Sequence, residues 1–172
     1  MDVFEAVKTR RSIRKFKDKI VEQEKLEKVL EAARLAPSAA NRQPWSFIAI
    51  SDKTIRQSLF SAYNQDWFVN APIIIVACGF PDKGWRRQDG EKYYPIDVAI
   101  AMQNMILVAH SMGLGTCWIA AFDEKKAKKA LDIPKKVRII AMTPLGYPDE
   151  VKGPITKRKT LEEIIHYDKW QQ

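Results

Sequence analysis

The amino-acid sequence predicts a helix–sheet–helix sandwich, a small sheet lying between two layers of helices. Three observations carry this. Stretches with apolar residues at helical spacing alternate along the chain with short runs of strand-forming residues. The run Ile73-Ile74-Ile75-Val76-Ala77-Cys78 has strand length and no polar face, as a strand covered on both sides would have. The stretch Ile96 to Met112 is apolar nearly all round, which suits a central helix or one at a subunit interface. At 172 residues, 46% apolar and 29% charged, the chain is long enough to bury a real core as one domain, 1–172.

The first helix is expected to open at Asp2, where Asp2 and Glu5 have capping-box spacing, and to end near Arg10. Its apolar face is Val3, Phe4, Ala6 and Val7. Arg10-Arg11-Ser12-Ile13-Arg14-Lys15-Phe16 follows at a turn. A second helix is expected from Val21 to Leu35, with Leu26, Val29, Leu30 and Ala33 on one face, ended by Pro37. The small, polar stretch Ser38 to Gln43 then forms a loop between two prolines. Trp45 to Ile50 alternates as a strand does, and Asp52 to Ala62 reads as a short helix. Tyr63-Asn64-Gln65-Asp66 opens a polar turn before the buried strand Ile73 to Cys78. Phe80 to Tyr94 is charged and aromatic, a surface excursion or lid. Pro95 starts the long helix and Gly113 stops it. A strand from Thr116 to Phe122, a basic helix capped by Asp123 and a buried strand from Val137 to Thr143 follow. Gly146-Tyr147-Pro148 turns the chain into an arm, 149–172. Its Ile164, Ile165, Tyr167 and Trp170 have little chain left to cover them, so a partner subunit is the expected cover.

The net charge of +8 invites a nucleic-acid partner, but the lysines are spread thinly and no RNA-binding or zinc-finger pattern accompanies them. Neither a leader peptide nor a run of about 20 apolar residues is seen, so no membrane partner is expected. Cys78 and Cys117 sit in apolar runs without metal-ligand neighbours, as reduced core residues of a cytoplasmic protein would. Gly113-Leu114-Gly115 resembles the start of a dinucleotide fingerprint, but it follows a helix and has Trp118 at the third glycine position. His110 and His166 stand alone. No nucleophile–base–acid set and no metal cluster can be assembled. What remains is the arginine cluster, which suits either one phosphorylated ligand or a solvated basic turn. An anion site without catalytic side chains fits an enzyme whose chemistry is carried by a bound cofactor.

Four ordered blocks give the chain a family likeness. They are Arg10 to Phe16, Ala36 to Trp45, Gly113 to Phe122, and Leu145-Gly146-Tyr147-Pro148 followed by Lys157-Arg158-Lys159. In these blocks the sequence resembles the flavin-dependent nitroreductase family over nearly its whole length. The resemblance implies an α+β fold, a homodimer whose C-terminal arm wraps the partner, and one FMN in each of two interface sites. It implies that Arg10 and Ser12 hold the FMN phosphate with Arg11 close by. Arg14 would lie at the N1/O2 edge of the flavin, and Arg158 would return to the phosphate. Pro37, Ser38, Ala39 and Asn41 would reach the flavin from the other subunit, and Asn64 would bond its pyrimidine edge. Trp118, Ile119, Ala120 and Ala121 would line the ring, with a backbone N–H near N5. Thr156 stands where the family often has a lysine, and Lys157 is the nearest substitute. The implied activity is hydride transfer from NADH or NADPH, through FMN, to a small-molecule acceptor such as a nitroaromatic or a quinone. Narrower flavin reactions, dehalogenation or flavin fragmentation, share the fold. A basic module for anionic polymers is the alternative of a different class.

Overall fold

Four strands form one sheet in a computed structural model of the chain, which describes residues 1–170. They are β1 (Trp45–Ile50), β2 (Ile73–Gly79), β3 (Gly115–Thr116) and β4 (Arg138–Gly146), in the spatial order β1-β2-β4-β3. Every neighbouring pair is antiparallel: Ile48 lies opposite Val76, and Val76 opposite Met142. The helices are α1 (Val3–Thr9), α2 (Gln23–Arg34), α3 (Lys53–Ser58), α4 (Asp66–Val69), α5 (Tyr94–Ser111) and α6 (Glu124–Ala130). The fold is α+β, and helices cover both faces of the sheet.

Alternation along β2 produces the two layers. Ile73, Ile75 and Ala77 point into one core with Val29 and Ala33 of α2 and Val98, Met102 and Met105 of α5. Ile74, Val76 and Cys78 point into a second core with Leu59, Phe68, Ala127 and Met142. Both faces being dry is why this strand has no polar residue. Asp2, Asp52 and Asp123 accept backbone N–H bonds from Glu5, Ile55 and Lys126 and so start α1, α3 and α6.

Several expectations are corrected. The strand predicted over Thr116 to Phe122 shrinks to Gly115–Thr116 and one isolated bridge between Ile119 and Met142. Between them the Cys117 N–H bonds the Thr143 hydroxyl at 3.2 Å, a side chain taking the place of a ladder carbonyl. The helix predicted to Ala62 ends at Ser58 and tightens into a 3-10 turn over Leu59–Ser61. One turn of helix, α4, follows the predicted polar turn. Of the apolar face of α1, Ala6 alone is buried: Phe4 is 74% exposed, and Val3 and Val7 are also exposed. The expected lack of cover on the arm is present: Ile164, Ile165, Tyr167 and Trp170 are exposed, and residues 151–170 contain no helix or strand. Gln171 and Gln172 of the expected arm lie outside the described residues. Among the described residues, no helix is long and apolar enough to cross a membrane.

Candidate functional site

The arginine segment does not hang free as a turn. It extends the sheet beyond β3: Ser12 forms a parallel bridge with Thr116, and the Ile13 N–H bonds the Thr116 carbonyl at 2.8 Å. Phe16 then bridges Pro148, Lys17 N–H bonds the Tyr147 carbonyl at 2.9 Å, and Asp149 N–H bonds the Lys15 carbonyl at 2.9 Å. The Lys152 ammonium donates to the Ser12 carbonyl at 2.7 Å. Residues from three of the four blocks, the first of them far from the other two along the chain, therefore meet at one sheet edge.

The charges at this edge are sorted. Lys15 pairs with Asp149 at 2.9 Å and Lys152 with Glu150 at 3.1 Å, while Glu150 also accepts the Arg14 backbone N–H at 2.5 Å. The lysines thus occupy the nearby carboxylates. The guanidinium groups of Arg10, Arg11 and Arg14 have no carboxylate partner among the described residues, and the Ser12 hydroxyl has no hydrogen bond there. Unpaired arginines beside a free hydroxyl form a cradle suited to a phosphate.

Two aromatic and imidazole contacts extend the edge. The Arg14 guanidinium lies over the Trp67 ring, 5.8 Å from its centroid, and the Trp67 N–H donates to Gln65 at 2.9 Å. Trp67 packs edge-on against Tyr63 at 6.0 Å, so the turn holding Asn64 sits beside Arg14. Burial pushes the Tyr63 hydroxyl pKa up, Cys117 adds to this, and the Arg14 charge opposes it. At the other end, His110 Nε2 lies 2.9 Å from the Thr9 hydroxyl. Burial, then repulsion from Arg10, depresses the His110 pKa.

The third block runs past this edge as Trp118 to Ala121, with Trp118, Ala120 and Ala121 exposed and Ile119 buried. Ile119 cannot supply a free N–H, because its N–H and carbonyl both bond Met142, at 2.9 and 3.0 Å. Within Ile119 to Ala121, a backbone donor toward a ligand is left to Ala120 or Ala121. Arg158 is exposed, and the structure brings Lys152, not Arg158, to the arginine segment.

Pro37, Ser38, Ala39 and Asn41 are not at this edge. Their loop is fastened to the opposite end of α5, where the Ala39 N–H donates to Asp97 at 2.9 Å. Thr9 meets α5 at His110, thirteen residues later, about 20 Å along the axis at 1.5 Å per residue.

A sequence model described as the nitroreductase family matches residues 7–62 and 56–147, most of the chain. The chain belongs to the nitroreductase family. A protein of Methanothermobacter thermautotrophicus, provisionally named NADH dehydrogenase/NAD(P)H nitroreductase, is 35% identical over 99% of this chain and 88% of its own length. Among solved structures, a nitroreductase family protein of Clostridium difficile 630 superposes with a TM-score of 0.92 at 35% identity, over 99% of this chain and all of that one. An FMN-dependent nitroreductase of Clostridium difficile R20291 gives 0.85 at 32% identity, covering 97% and 99%. The chain is accordingly an oxidoreductase of the nitroreductase type. Within that family frame, Trp67, Lys152 and Asp97 are contacts that sequence reasoning did not find.

Proposed function

We propose that the protein is an NAD(P)H-dependent flavin oxidoreductase that binds FMN at the edge formed by the arginine segment, β3 and the Tyr147–Lys152 segment. The observation that carries this is the row of unpaired guanidinium groups beside lysines already neutralised by Asp149 and Glu150. That donor set fits the phosphate and the electron-rich edge of a flavin nucleotide. Bound FMN supplies the hydride chemistry between a reduced nicotinamide and an acceptor such as a nitroaromatic or quinone.

The chain's part is binding, orientation and charge. Arg10 and Ser12, with Arg11 beside them, hold the phosphate, and Arg158 with Lys157 adds cations from the arm. Arg14 presents a fixed positive charge to the N1/O2 edge, held by its stack on Trp67. Asn64 bonds the pyrimidine edge. Trp118 and Ile119 shape the wall, and Ala120 and Ala121 leave room for a flat ring and offer N–H groups toward N5. No side chain is assigned a catalytic proton transfer.

The site is completed by a second copy of the chain. The loop bearing Pro37, Ser38, Ala39 and Asn41 lies about 20 Å of helix away from the arginines, so it serves the other subunit's flavin. The exposed apolar residues of α1, Ile96 and Ile100 of α5, and the arm's Ile164, Ile165 and Trp170 supply a surface for that copy. The protein works as a cytoplasmic homodimer of single-domain subunits.

The test is an absorbance spectrum and an FMN titration of the purified protein. Flavin absorbance and saturable FMN uptake are expected, and a colourless protein that takes up no FMN sinks the reading. Arg10→Ala and Arg14→Ala should each weaken FMN binding by about 1.5–3 kcal/mol, the usual worth of a charge-assisted contact.

A further inference from the structure

Asp97 is the most deeply buried charged side chain near either end of α5, at 2% exposure in the helix's first turn. One carboxylate oxygen accepts the Ala39 N–H at 2.9 Å. The other is buried and has no hydrogen-bond partner among the described residues. The first turn of a helix favours a negative charge, which offsets part of the cost of holding this one dry. A carboxylate with an idle buried oxygen is still costly for stability, since that oxygen is taken out of water without a hydrogen bond in return.

The loop it holds needs an anchor. Ala40, Asn41 and Gln43 all take positive φ, at 52°, 52° and 47°, a region that non-glycine residues rarely occupy. Inside the loop, the Asn41 N–H bonds the Ser38 carbonyl at 2.9 Å, and the Gln43 N–H bonds the Ser38 hydroxyl at 2.9 Å. Both bonds turn about Ser38; the loop is tied outward by the Ala39 N–H to Asp97 at 2.9 Å, beside that hub, and by the Arg42 guanidinium to the Gly84 carbonyl at 3.3 Å, farther along. The side chains of Pro37, Ala40 and Asn41 are otherwise exposed.

We infer that Asp97 is a positioning residue: its carboxylate grips the Ala39 amide and locks the 38–43 loop in the strained shape that is offered to the flavin of the partner subunit. The inference rests on the flavin reading above. Asp97 touches neither the proposed phosphate cradle nor the proposed ring site, so its effect passes through the loop. The idle oxygen reflects a residue kept for the conformation it imposes.

The test uses the full-length protein with three measurements: amide hydrogen exchange without FMN, FMN titration, and thermal unfolding. Asp97→Ala should speed exchange of the Asn41 and Gln43 amides at least tenfold while the amides in the middle of α5 stay protected. FMN affinity should fall at least tenfold. Asp97→Asn, which keeps an acceptor for Ala39, should bring both to within about threefold of wild type, since one hydrogen bond of this kind is worth roughly one such factor of ten. A purely structural role predicts a lower melting temperature and uniformly faster exchange, without rescue by Asn at the loop. Unchanged loop exchange in Asp97→Ala overturns the inference. Faster loop exchange with unchanged FMN affinity overturns the link to the flavin. Wild-type protein that binds no FMN at all refutes the flavin reading, and the exchange data then still decide whether Asp97 holds the loop.

Discussion

Gly115 is where the arginine segment presses closest against the sheet. A Cβ built there would lie 2.8 Å from Cβ and Cγ1 of Ile13, the branch point of that side chain and not its flexible tip. Gly115→Ala should therefore push Ser12 and Ile13 off Thr116, cost about 1–3 kcal/mol as overpacking does, and weaken FMN binding alongside. Urea unfolding and FMN titration of this variant check it, and wild-type stability would mean the edge has slack. Arg10, Ser12 and Arg14 could be picked out from the sequence as candidates for an anion site because their charges and hydroxyl lie close together in the chain. Trp67, Lys152 and Asp97 could not, because each acts on a group far away in the chain: Lys152 reaches Ser12 across 140 positions, and Asp97 holds Ala39 across 58. Only the folded sheet edge and the long helix bring such pairs together. Ile119 shows the same limit in reverse, since its pairing with Met142 removes a donor that the sequence left available.

Among the elements, α6 is tied down by charge. Its first residue, Glu124, accepts from Arg138 at 2.9 Å and from the Ile139 N–H at 2.9 Å, and Lys128 stands 3.2 Å away. Burial alone would raise the Glu124 pKa, but Arg138, the Ile139 amide and Lys128 together hold it at about 2. A carboxyl depressed in the folded state stabilises above its ordinary value of 4.5, and that contribution drains away as pH falls toward about 2. Glu124→Gln should thus destabilise the protein by about 1–3 kcal/mol at pH 7, and by much less near pH 2. Chemical denaturation of both proteins across that range reads it, and a pH-independent difference would refute the network. The elements with strong periodicity, α2, α5, β1 and β2, were legible in the sequence to within a few residues. The stretch after Thr116 was not. Its residues are as apolar as a strand's, and only the Thr143 hydroxyl, which captures the Cys117 amide, interrupts the ladder. The basic composition of α6 was visible, whereas its anchoring by a single glutamate to the next strand was not.

For the molecule as a whole, the telling feature is that α5 holds the arginine segment's neighbour Thr9 at one end and the Ala39 loop at the other. His110 keeps company with Thr9 and the arginines, and Asp97 holds the Ala39 loop. On the function proposed above, each subunit lends its front half to one reaction centre and its back half to the other. Two impaired proteins should consequently rescue each other. Arg10→Ala spoils only the arginine half, and a deletion of Ala39 to Asn41 spoils only the loop half. Co-expressed, they form some mixed pairs in which one centre inherits both defects and the other inherits none. Flavin uptake and turnover should reappear in those pairs at about half the sites, while neither parent alone recovers them. Such mutual repair is unavailable to an enzyme whose centre is built within one chain.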